Sequence, residues 1–283
     1  MLNGCTYILT VDVGNTFIRF GLFAEDSAAA QECPLATCEI TTPSSITADE
    51  ARMRLVQVMA ALAADAGMPG ALVPAAAVLS CVVPALERPW KVALSRTCTG
   101  RVLTVGPGLK TGMPVHYDDP AEIGPDRIAD AVAARAVYGS PCIVIDLGTT
   151  TNIEVIDARG TFVGGVIAPG LALGARSLSA AAARLPQVEP SAPTHVIGRN
   201  TREAMRSGVV LGEVARIDGM LDMVLAEMRA TKAAGEGSVP IVITGDDAEA
   251  LAALVGHSLT VDDALTLRGL AELYHINQKP RRA

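Results

Sequence analysis

Features that would point to nucleic acid or to a membrane are scarce in this 283-residue sequence. Aromatic residues make up 3% of the chain, and acidic residues outnumber basic residues 30 to 23, for a net charge of −7. Affinity for nucleic acid comes mainly from lysine and arginine, so this balance argues against such a partner. The apolar runs fall far short of the roughly 20 residues that a membrane-spanning helix needs. We therefore expect a globular protein that binds neither nucleic acid nor membrane.

The six cysteines, at positions 5, 33, 38, 81, 98 and 142, lack the spacing of a zinc site. Only Cys33 and Cys38 are close in sequence, whereas Cys81 and Cys142 lie inside apolar runs, where a thiol packs as a small hydrophobic group. The first residues also lack the basic segment of a secretory signal peptide. These features predict reduced thiols in a cytoplasmic protein.

Three common nucleotide-binding or catalytic motifs are missing. Lys110-Thr111 follows Leu109 instead of glycine, so it does not complete a P-loop. No Gly-x-Gly-x-x-Gly follows a predicted strand, which disfavours a dinucleotide site. No Gly-x-Ser-x-Gly turn is present, which argues against an α/β-hydrolase. Any phosphate chemistry must therefore come from a different arrangement.

A strand-and-turn pattern occurs twice, about 134 residues apart. In each copy a β-branched apolar run ends in Asp-x-Gly, first at Asp12-Val-Gly14-Asn-Thr16 and then at Asp146-Leu-Gly148-Thr149. Glycine lets backbone N–H groups approach a phosphate, threonine hydroxyls, including that of Thr151, add donors, and a cation can offset the carboxylate. A single copy is explained by an ordinary hairpin turn. The pair predicts two similar halves that hold a phosphate across a cleft.

Strands and helices alternate along the chain, which is typical of an α/β protein. Period and composition predict strands at 7–12, 17–23, 76–83, 101–105, 142–146, 153–156, 161–167 and 239–244. They predict helices at 48–66, 126–137, 170–185, 201–229, 247–255 and 265–276.

The segment Gly124-Pro125-Asp126-Arg127 opens one of these helices. Asp126 falls in the first helical turn, where a carboxylate is favoured as a cap. The same carboxylate can accept a proton from a hydroxyl, while the adjacent arginine holds a substrate carboxylate. The residues alone leave both interpretations open.

Together with several other segments, these motifs resemble those of type III pantothenate kinases, in the family's order over nearly the whole chain. The matching segments are Asp12–Thr16, Ser80–Pro84, Gly124–Arg127, Asp146–Thr149, Gly164–Leu171, Ile197–Thr201 and Leu265–Leu270. The resemblance implies an actin-like ATPase fold with two ribonuclease-H-like domains, at 1–138 and 139–283, facing across a nucleotide cleft. It also implies a homodimer that phosphorylates pantothenate with ATP, Mg²⁺ and a monovalent cation, K⁺ or NH₄⁺, in the first step of coenzyme A synthesis.

The resemblance also implies roles for individual residues. Asp126 is expected to be the general base and Asp146 the ligand of the monovalent cation, while Mg²⁺ is expected to be held through Asp12 or its waters. The ATP site is expected to comprise Asp12, Val13, Gly14, Asn15, Thr16, Phe17, Ile18, Arg19 and Thr149. The pantothenate site is expected to comprise Tyr117, Gly124, Pro125, Asp126, Arg127 and Thr201, the last from the same or from the partner subunit.

Five positions depart from the family pattern, one of them Ala182, where a threonine is common before Leu185-Pro186. Thr150, Asn152 and Glu154 replace alanine, threonine and aspartate after the second turn, and Asp246 replaces a glycine expected near the adenine. These departures keep open an alternative, a catalytically impaired nucleotide-binding or regulatory homologue. A sugar kinase of the same superfamily is disfavoured, because the first half lacks the Asn-Asp pair that recognises sugars.

Overall fold

A computed structural model describes residues 6–26 and 32–278 of the chain, in two compact units. The first unit consists of the described parts of Met1–Gly139 and Ala264–Ala283, and the second of Ser140–Asp263. The strands are β1 (Tyr7–Val13), β2 (Phe17–Ala24), β3 (Ala36–Thr41), β4 (Ala76–Cys81), β5 (Val102–Thr104), β6 (Cys142–Leu147), β7 (Thr150–Ile156), β8 (Phe162–Pro169), β9 (Ile241–Gly245) and β10 (Thr260–Val261). The α-helices are α1 (Ala48–Asp65), α2 (Pro84–Thr97), α3 (Pro125–Tyr138), α4 (Leu171–Ala181), α5 (Thr201–Arg206), α6 (Gly212–Ala230), α7 (Ala248–Ala252) and α8 (Leu265–Ile276).

The sheet of the first unit has the strand order β3-β2-β1-β4-β5. Strands β1, β2 and β3 form an antiparallel meander, whereas β4 and β5 are parallel to β1 and follow helical crossovers. The sheet of the second unit has the equivalent order β8-β7-β6-β9-β10, with the same strand directions. The duplication, the α/β class and the ribonuclease-H-like arrangement of each unit are thereby confirmed.

In the first unit, α1 and α2 cover one face of the sheet and enclose its main apolar core. Trp90 of α2 is fully buried there, with its ring centroid 5.6 Å from that of Phe20. In the second unit, the apolar core lies between the sheet and residues of α6 and α7. Both cores consist mainly of Ala, Val, Leu and Ile, as the scarcity of aromatic residues predicts.

Helix α8 groups with the first unit, although the sequence-based division had assigned all of 139–283 to the second domain. The helix packs on α3 and contacts β1, β2 and β4. Gly269 makes this packing possible, because a Cβ atom there would lie 1.9 Å from the carbonyl oxygen of Ala129. The chain therefore returns to its first unit after completing the second.

Several elements differ from those that local patterns predict. Strand β3 and helix α2 were missed, the latter because Pro89 lies inside it, whereas Pro84 is compatible with its first turn. The helix expected over 201–229 consists of α5, a π-helical segment (Ser207–Leu211) and α6.

Two expectations about the chain's setting can be compared with the described residues. Within 6–26 and 32–278, no helix is both long and apolar enough to cross a membrane. The cysteines in these ranges, Cys33, Cys38, Cys81, Cys98 and Cys142, are thiols and not disulfides, while Cys5 lies outside the described residues.

Candidate active site

Asp12 is a buried carboxylate at the end of β1. It pairs in register with Arg19 of β2 on one side and with Ser80 of β4 on the other, so the three side chains share one face of the sheet. Arg19 in turn donates from Nε to Glu39 Oε2 at 3.0 Å. Asp12 is 8% exposed, and its Oδ1 atom accepts no hydrogen bond from the part of the chain that the structure describes. A buried carboxylate oxygen in this state fits a bound cation.

The electrostatics of Asp12 also fit a cation. Burial, together with the nearby carboxylate of Asp126, raises the pKa of Asp12 from 3.8 to about 6, while Ser80 and Arg19 act in the opposite direction. Two carboxylates this close repel each other unless a positive charge lies between them. Among the described residues, no group of three or more histidine, cysteine or carboxylate side chains forms a metal site. Mg²⁺ suits such a sparse site, because it is commonly bound by one or two carboxylates together with water and substrate phosphates.

Asp126 occupies the first turn of α3, directly after Gly124 and Pro125. Its Oδ1 atom accepts a hydrogen bond from the backbone N–H of Arg127 at 2.8 Å. A Cβ atom at Gly124 would lie 2.3 Å from that oxygen, so glycine is needed for the carboxylate to adopt this position. Burial raises the pKa of Asp126, although the N–H group and the guanidinium of Arg127 oppose the shift. The N-cap of α3 is Gly124, so Asp126 is not the cap itself but a first-turn carboxylate, favoured by the helix dipole and suited to accept a proton.

The other residues that are predicted to bind pantothenate differ in how far they are buried. The Arg127 side chain is 5% exposed. Tyr117 is half-buried in the irregular segment between β5 and the 3-10 helix Pro120–Glu122. Thr201 is an exposed residue at the start of α5 and belongs to the second unit. The structure thus brings Asp126 near Asp12, whereas contacts of Arg127, Tyr117 and Thr201 with pantothenate stay predictions.

Two backbone carbonyl groups of the β1–β2 turn, those of Gly14 and Thr16, accept hydrogen bonds from Thr42. Thr42 donates from Oγ1 to the carbonyl of Gly14 at 2.8 Å and from its backbone N–H to the carbonyl of Thr16 at 2.9 Å. The carbonyl groups that would repel a phosphate are therefore engaged, while the side chains of Asn15 and Thr16 are exposed.

The remaining predicted ATP-site residues of this turn differ in what they can contribute. Val13 and Ile18 are fully buried in the core, so they can contribute backbone groups only. Phe17 is half-buried, and its carbonyl accepts a hydrogen bond from the N–H of Gly14 at 2.9 Å.

The β6–β7 turn is held closely by its surroundings. The N–H of Gly148 donates to the carbonyl of Thr150 at 2.9 Å, and that of Gly170 donates to the carbonyl of Thr149 at 3.0 Å. A Cβ atom at Gly170 would lie 2.2 Å from the carbonyl oxygen of Gly148. Gly245, with φ of +90°, lies against the same turn, since a Cβ atom there would be 2.1 Å from the Leu147 carbonyl oxygen. Glycine therefore allows two other segments to contact this turn directly.

Asp146 occupies the position in the second unit that Asp12 occupies in the first. It pairs in register with Asn152 of β7 and Thr244 of β9, which correspond to Arg19 and Ser80. The neighbour of Asp146 is thus an uncharged amide where Asp12 has a guanidinium. Asn152 is 6% exposed, and its Oδ1 atom has no hydrogen-bond partner within the described part of the chain. Carboxylate and amide oxygens are donors that hard cations prefer.

Thr151 does not have the role that its place in the motif predicted. Its hydroxyl is buried and donates to Glu213 Oε1 at 2.6 Å, so it is not available to a phosphate. Sequence reasoning also missed Thr42, Ser80 and Glu213. Of these, Ser80 had a local signal, because it is a polar residue within an otherwise apolar strand.

An apolar cavity of about 270 Å³ lies beside the first turn of α3. Pro125 and Ile128 line it from the helix, and Val105, Met113 and Ile123 line it from the preceding segment. The cavity therefore adjoins the helix start that carries Asp126.

Comparisons with known proteins agree with this geometry. A family model described as type III pantothenate kinase matches residues 8–223. The type III pantothenate kinase of Koribacter versatilis is 37% identical over 279 residues, covering 97% of each chain. A type III pantothenate kinase of Symbiobacterium thermophilum is 39% identical over 274 residues, covering 96% of this chain and 97% of its own.

A solved structure from Campylobacter jejuni, described as a Baf family transcriptional activator, supports the fold. It is 18% identical, covers 95% of this chain and 98% of its own, and superposes with a TM-score of 0.57. The matched family model and the two full-length relatives show that this chain belongs to the type III pantothenate kinase family.

Proposed function

We propose that this protein transfers the γ-phosphoryl group of ATP to the primary hydroxyl of pantothenate, the first step of coenzyme A synthesis, in the cytoplasm. The observation that carries the proposal is the proximity of two carboxylates, Asp12 at the end of β1 and Asp126 at the start of α3. They are close enough for Asp126 to raise the pKa of Asp12. Family membership supplies the substrates.

Asp126 is the general base of the proposed reaction. Its carboxylate accepts the proton of the pantothenate hydroxyl as that oxygen attacks the γ-phosphorus, and the bond to the β-γ bridging oxygen of ATP breaks. The raised pKa makes the carboxylate a better proton acceptor than an exposed aspartate. The hydrogen bond from the Arg127 N–H keeps it oriented throughout.

Asp12 holds Mg²⁺ in this proposal, directly or through water. The ion supplies positive charge that offsets the phosphate charge. Asn15, Thr16 and Thr149 bind phosphate oxygens. The N–H groups of Gly14 and Gly148, which the motif places in the phosphate site, instead donate to the carbonyls of Phe17 and Thr150. Arg19 balances the charge of Asp12 from the neighbouring strand.

Arg127 binds the pantothenate carboxylate and so places the hydroxyl for attack. Tyr117, Gly124 and Pro125 line the same acceptor site. Thr201 adds a contact from the same or from the partner subunit of a homodimer.

Asp146 holds the monovalent cation, K⁺ or NH₄⁺, with the Asn152 amide oxygen as an additional donor. The orphaned, buried Oδ1 atom of Asn152 supports this assignment. The replacement at position 152 therefore keeps an oxygen donor in the site. Glu154 is fully buried within β7, away from the turn itself.

The alternative of an impaired homologue is not favoured, since the relatives are named as kinases over their full length. A coupled assay of ADP release with pantothenate, ATP, Mg²⁺ and K⁺ tests the proposal. We expect turnover that requires all four, and a fall in kcat of about 10²- to 10⁴-fold in Asp126→Asn with ATP affinity nearly unchanged. Asp118→Asn, which alters an exposed carboxylate nearby in sequence, is the control. Wild-type turnover in Asp126→Asn would remove this residue from the mechanism.

A further inference from the structure

A polar network behind the β6–β7 turn, buried at Thr151 and Glu213 and partly exposed at Arg216, is not explained by the roles assigned so far. Thr151 Oγ1 donates to Glu213 Oε1 at 2.6 Å, and Arg216 forms an ion pair with the other oxygen, Glu213 Oε2. The same Arg216 nitrogen donates to the carbonyl of Pro169 at 2.5 Å. Two residues of α6 thus connect strand β7 with the end of strand β8.

Both ends of this network lie directly beside the proposed phosphate-binding residues. Thr151 follows Thr149 by two positions on the outgoing strand of the hairpin. Pro169 precedes Gly170, whose N–H donates to the carbonyl of Thr149 at 3.0 Å. The network therefore holds the turn from the strand that leaves it and from the junction that packs on it.

Glu213 is an unusual residue for a purely structural contact. It is 4% exposed, and a buried ion pair often stabilises a fold no more than apolar side chains of similar size would. The carboxylate provides directional hydrogen bonds, because one of its oxygens accepts from Thr151 of β7 and the other from Arg216 of α6. This arrangement fixes the position of Thr151 relative to Pro169 more narrowly than apolar packing would.

The π-helical segment Ser207–Leu211 lies directly before α6, and Glu213 follows it by two residues. A π turn accommodates one more residue than an α turn, so it shifts the following residues by about 100° around the helix relative to α5. Residues of α5 and α6 therefore do not keep the spacing of one continuous α-helix.

We propose that Glu213 and Arg216 are positioning residues for the ATP phosphate site, acting through Thr151 and Pro169 on the Gly148–Thr149 turn. The inference rests on the proposed function of that turn. It predicts that disrupting the network weakens ATP binding selectively, because the proposed pantothenate residues other than Thr201 belong to the first unit, and Thr201 lies outside the network.

The test compares Thr151→Val, Thr151→Ser and Glu213→Gln by steady-state kinetics and by ATP titration calorimetry without pantothenate. Valine keeps the shape of threonine but removes the hydroxyl that donates to a charged acceptor, so we expect the KM for ATP to rise roughly 10-fold. The KM for pantothenate should stay unchanged, and Thr151→Ser should restore the wild-type value. Glu213→Gln should resemble Thr151→Val, and the double variant should be no worse than the more affected single variant.

Glu227→Gln is the matched control, because it makes the same substitution at an exposed position of α6. Wild-type ATP affinity in Thr151→Val would overturn the inference. A parallel rise in both KM values with a lower melting temperature would also overturn it, since that pattern indicates a general structural role. If the wild type binds ATP without phosphorylating pantothenate, the proposed function fails, whereas selective loss of ATP binding in Thr151→Val would still support the positioning role.

Discussion

The carboxylate of Asp126, at the start of α3, lies near enough to Asp12, at the end of β1, for its charge to raise the pKa of Asp12. The two residues are 114 positions apart in the chain, and the fold of the first unit brings them together. Without a cation or a nucleotide complex, this proximity costs folding free energy. The site is therefore arranged for a bound state at the expense of the free protein.

Replacing Asp12 by asparagine should stabilise the ligand-free protein at neutral pH. Because the folded-state pKa is about 6 and the ordinary value is 3.8, wild-type stability falls as pH rises through this interval and is lowest above it. Asparagine does not ionise, so the free energy of unfolding of the variant does not fall in this pH interval. We therefore expect the variant to be more stable than the wild type by about 3 kcal/mol at pH 7. Urea unfolding at pH 7 and near pH 4, without Mg²⁺ or ATP, measures the difference. An equal advantage at both pH values would contradict the prediction.

Replacing Ser80 by alanine should shift the acid limb of the kcat/KM profile to higher pH. The Ser80 hydroxyl lowers the pKa of Asp12, so its loss leaves the carboxylate protonated up to a higher pH. We expect a shift of less than about one unit, because Ser80 lies beside Asp12 in register but its hydroxyl forms no full hydrogen bond with a described residue. Ser95→Ala is the control, because the Ser95 hydroxyl donates to the carbonyl of Lys91 within α2. An unshifted profile would show that Ser80 does not act on Asp12.

Replacing Gly245 by alanine should destabilise the second unit severely. The position has φ of +90°, and a Cβ atom would lie 2.1 Å from the Leu147 carbonyl oxygen. Gly108 has a similar φ of +89° but no atom within 4 Å of its Cβ position, so Gly108→Ala reports the backbone strain alone. We expect about 1–2 kcal/mol for Gly108→Ala and more than about 4 kcal/mol for Gly245→Ala. Similar losses in the two variants, measured by chemical unfolding, would exclude the close contact.

Asp218 should stabilise the segment after α7 in a pH-dependent manner. Its carboxylate accepts from the Gly256 N–H at 2.9 Å and contacts His257 Nδ1 at 3.0 Å, and these groups lower the pKa of Asp218 in spite of its partial burial. A lowered pKa means that the stabilisation is present above the ordinary value of 3.8 and is lost as pH falls through the folded-state value. Asp218→Asn should therefore lower the free energy of unfolding at pH 7 by about 1–2 kcal/mol. The loss should shrink below pH 4.

Asp222→Asn is the control for that prediction. Asp222 contacts the other nitrogen of the same histidine at 3.2 Å, but its side chain is 74% exposed. We expect a change within about 0.5 kcal/mol, as for most exposed ion pairs. An equal loss in both variants would indicate that the stabilisation comes from His257 alone and not from the Gly256 N–H.

The paired Asp-x-Gly turns were predictable from the sequence, because strand and turn signals are local. The registers of the two sheets then place Asp12 and Asp146 at equivalent positions. The start of α3 was predictable for the same reason, since proline and aspartate follow glycine there. Helix α2 was not, because Pro89 inside it contradicts the local helix signal while burial of Trp90 stabilises the helix.

What the sequence determined by itself is the set of local elements and the chemistry available at their ends, since both depend on residues within one or two turns. Tertiary structure alone decided the partners of buried polar groups. Ser80 lies beside Asp12, Thr151 is bound by Glu213 62 residues later, and α8 packs with the first unit. These outcomes depend on which surfaces meet when apolar faces are buried, and a buried charge must then pair with whatever lies opposite. For the same reason the Thr151 hydroxyl donates to buried Glu213 instead of to a phosphate, and the role that we propose for it is positioning.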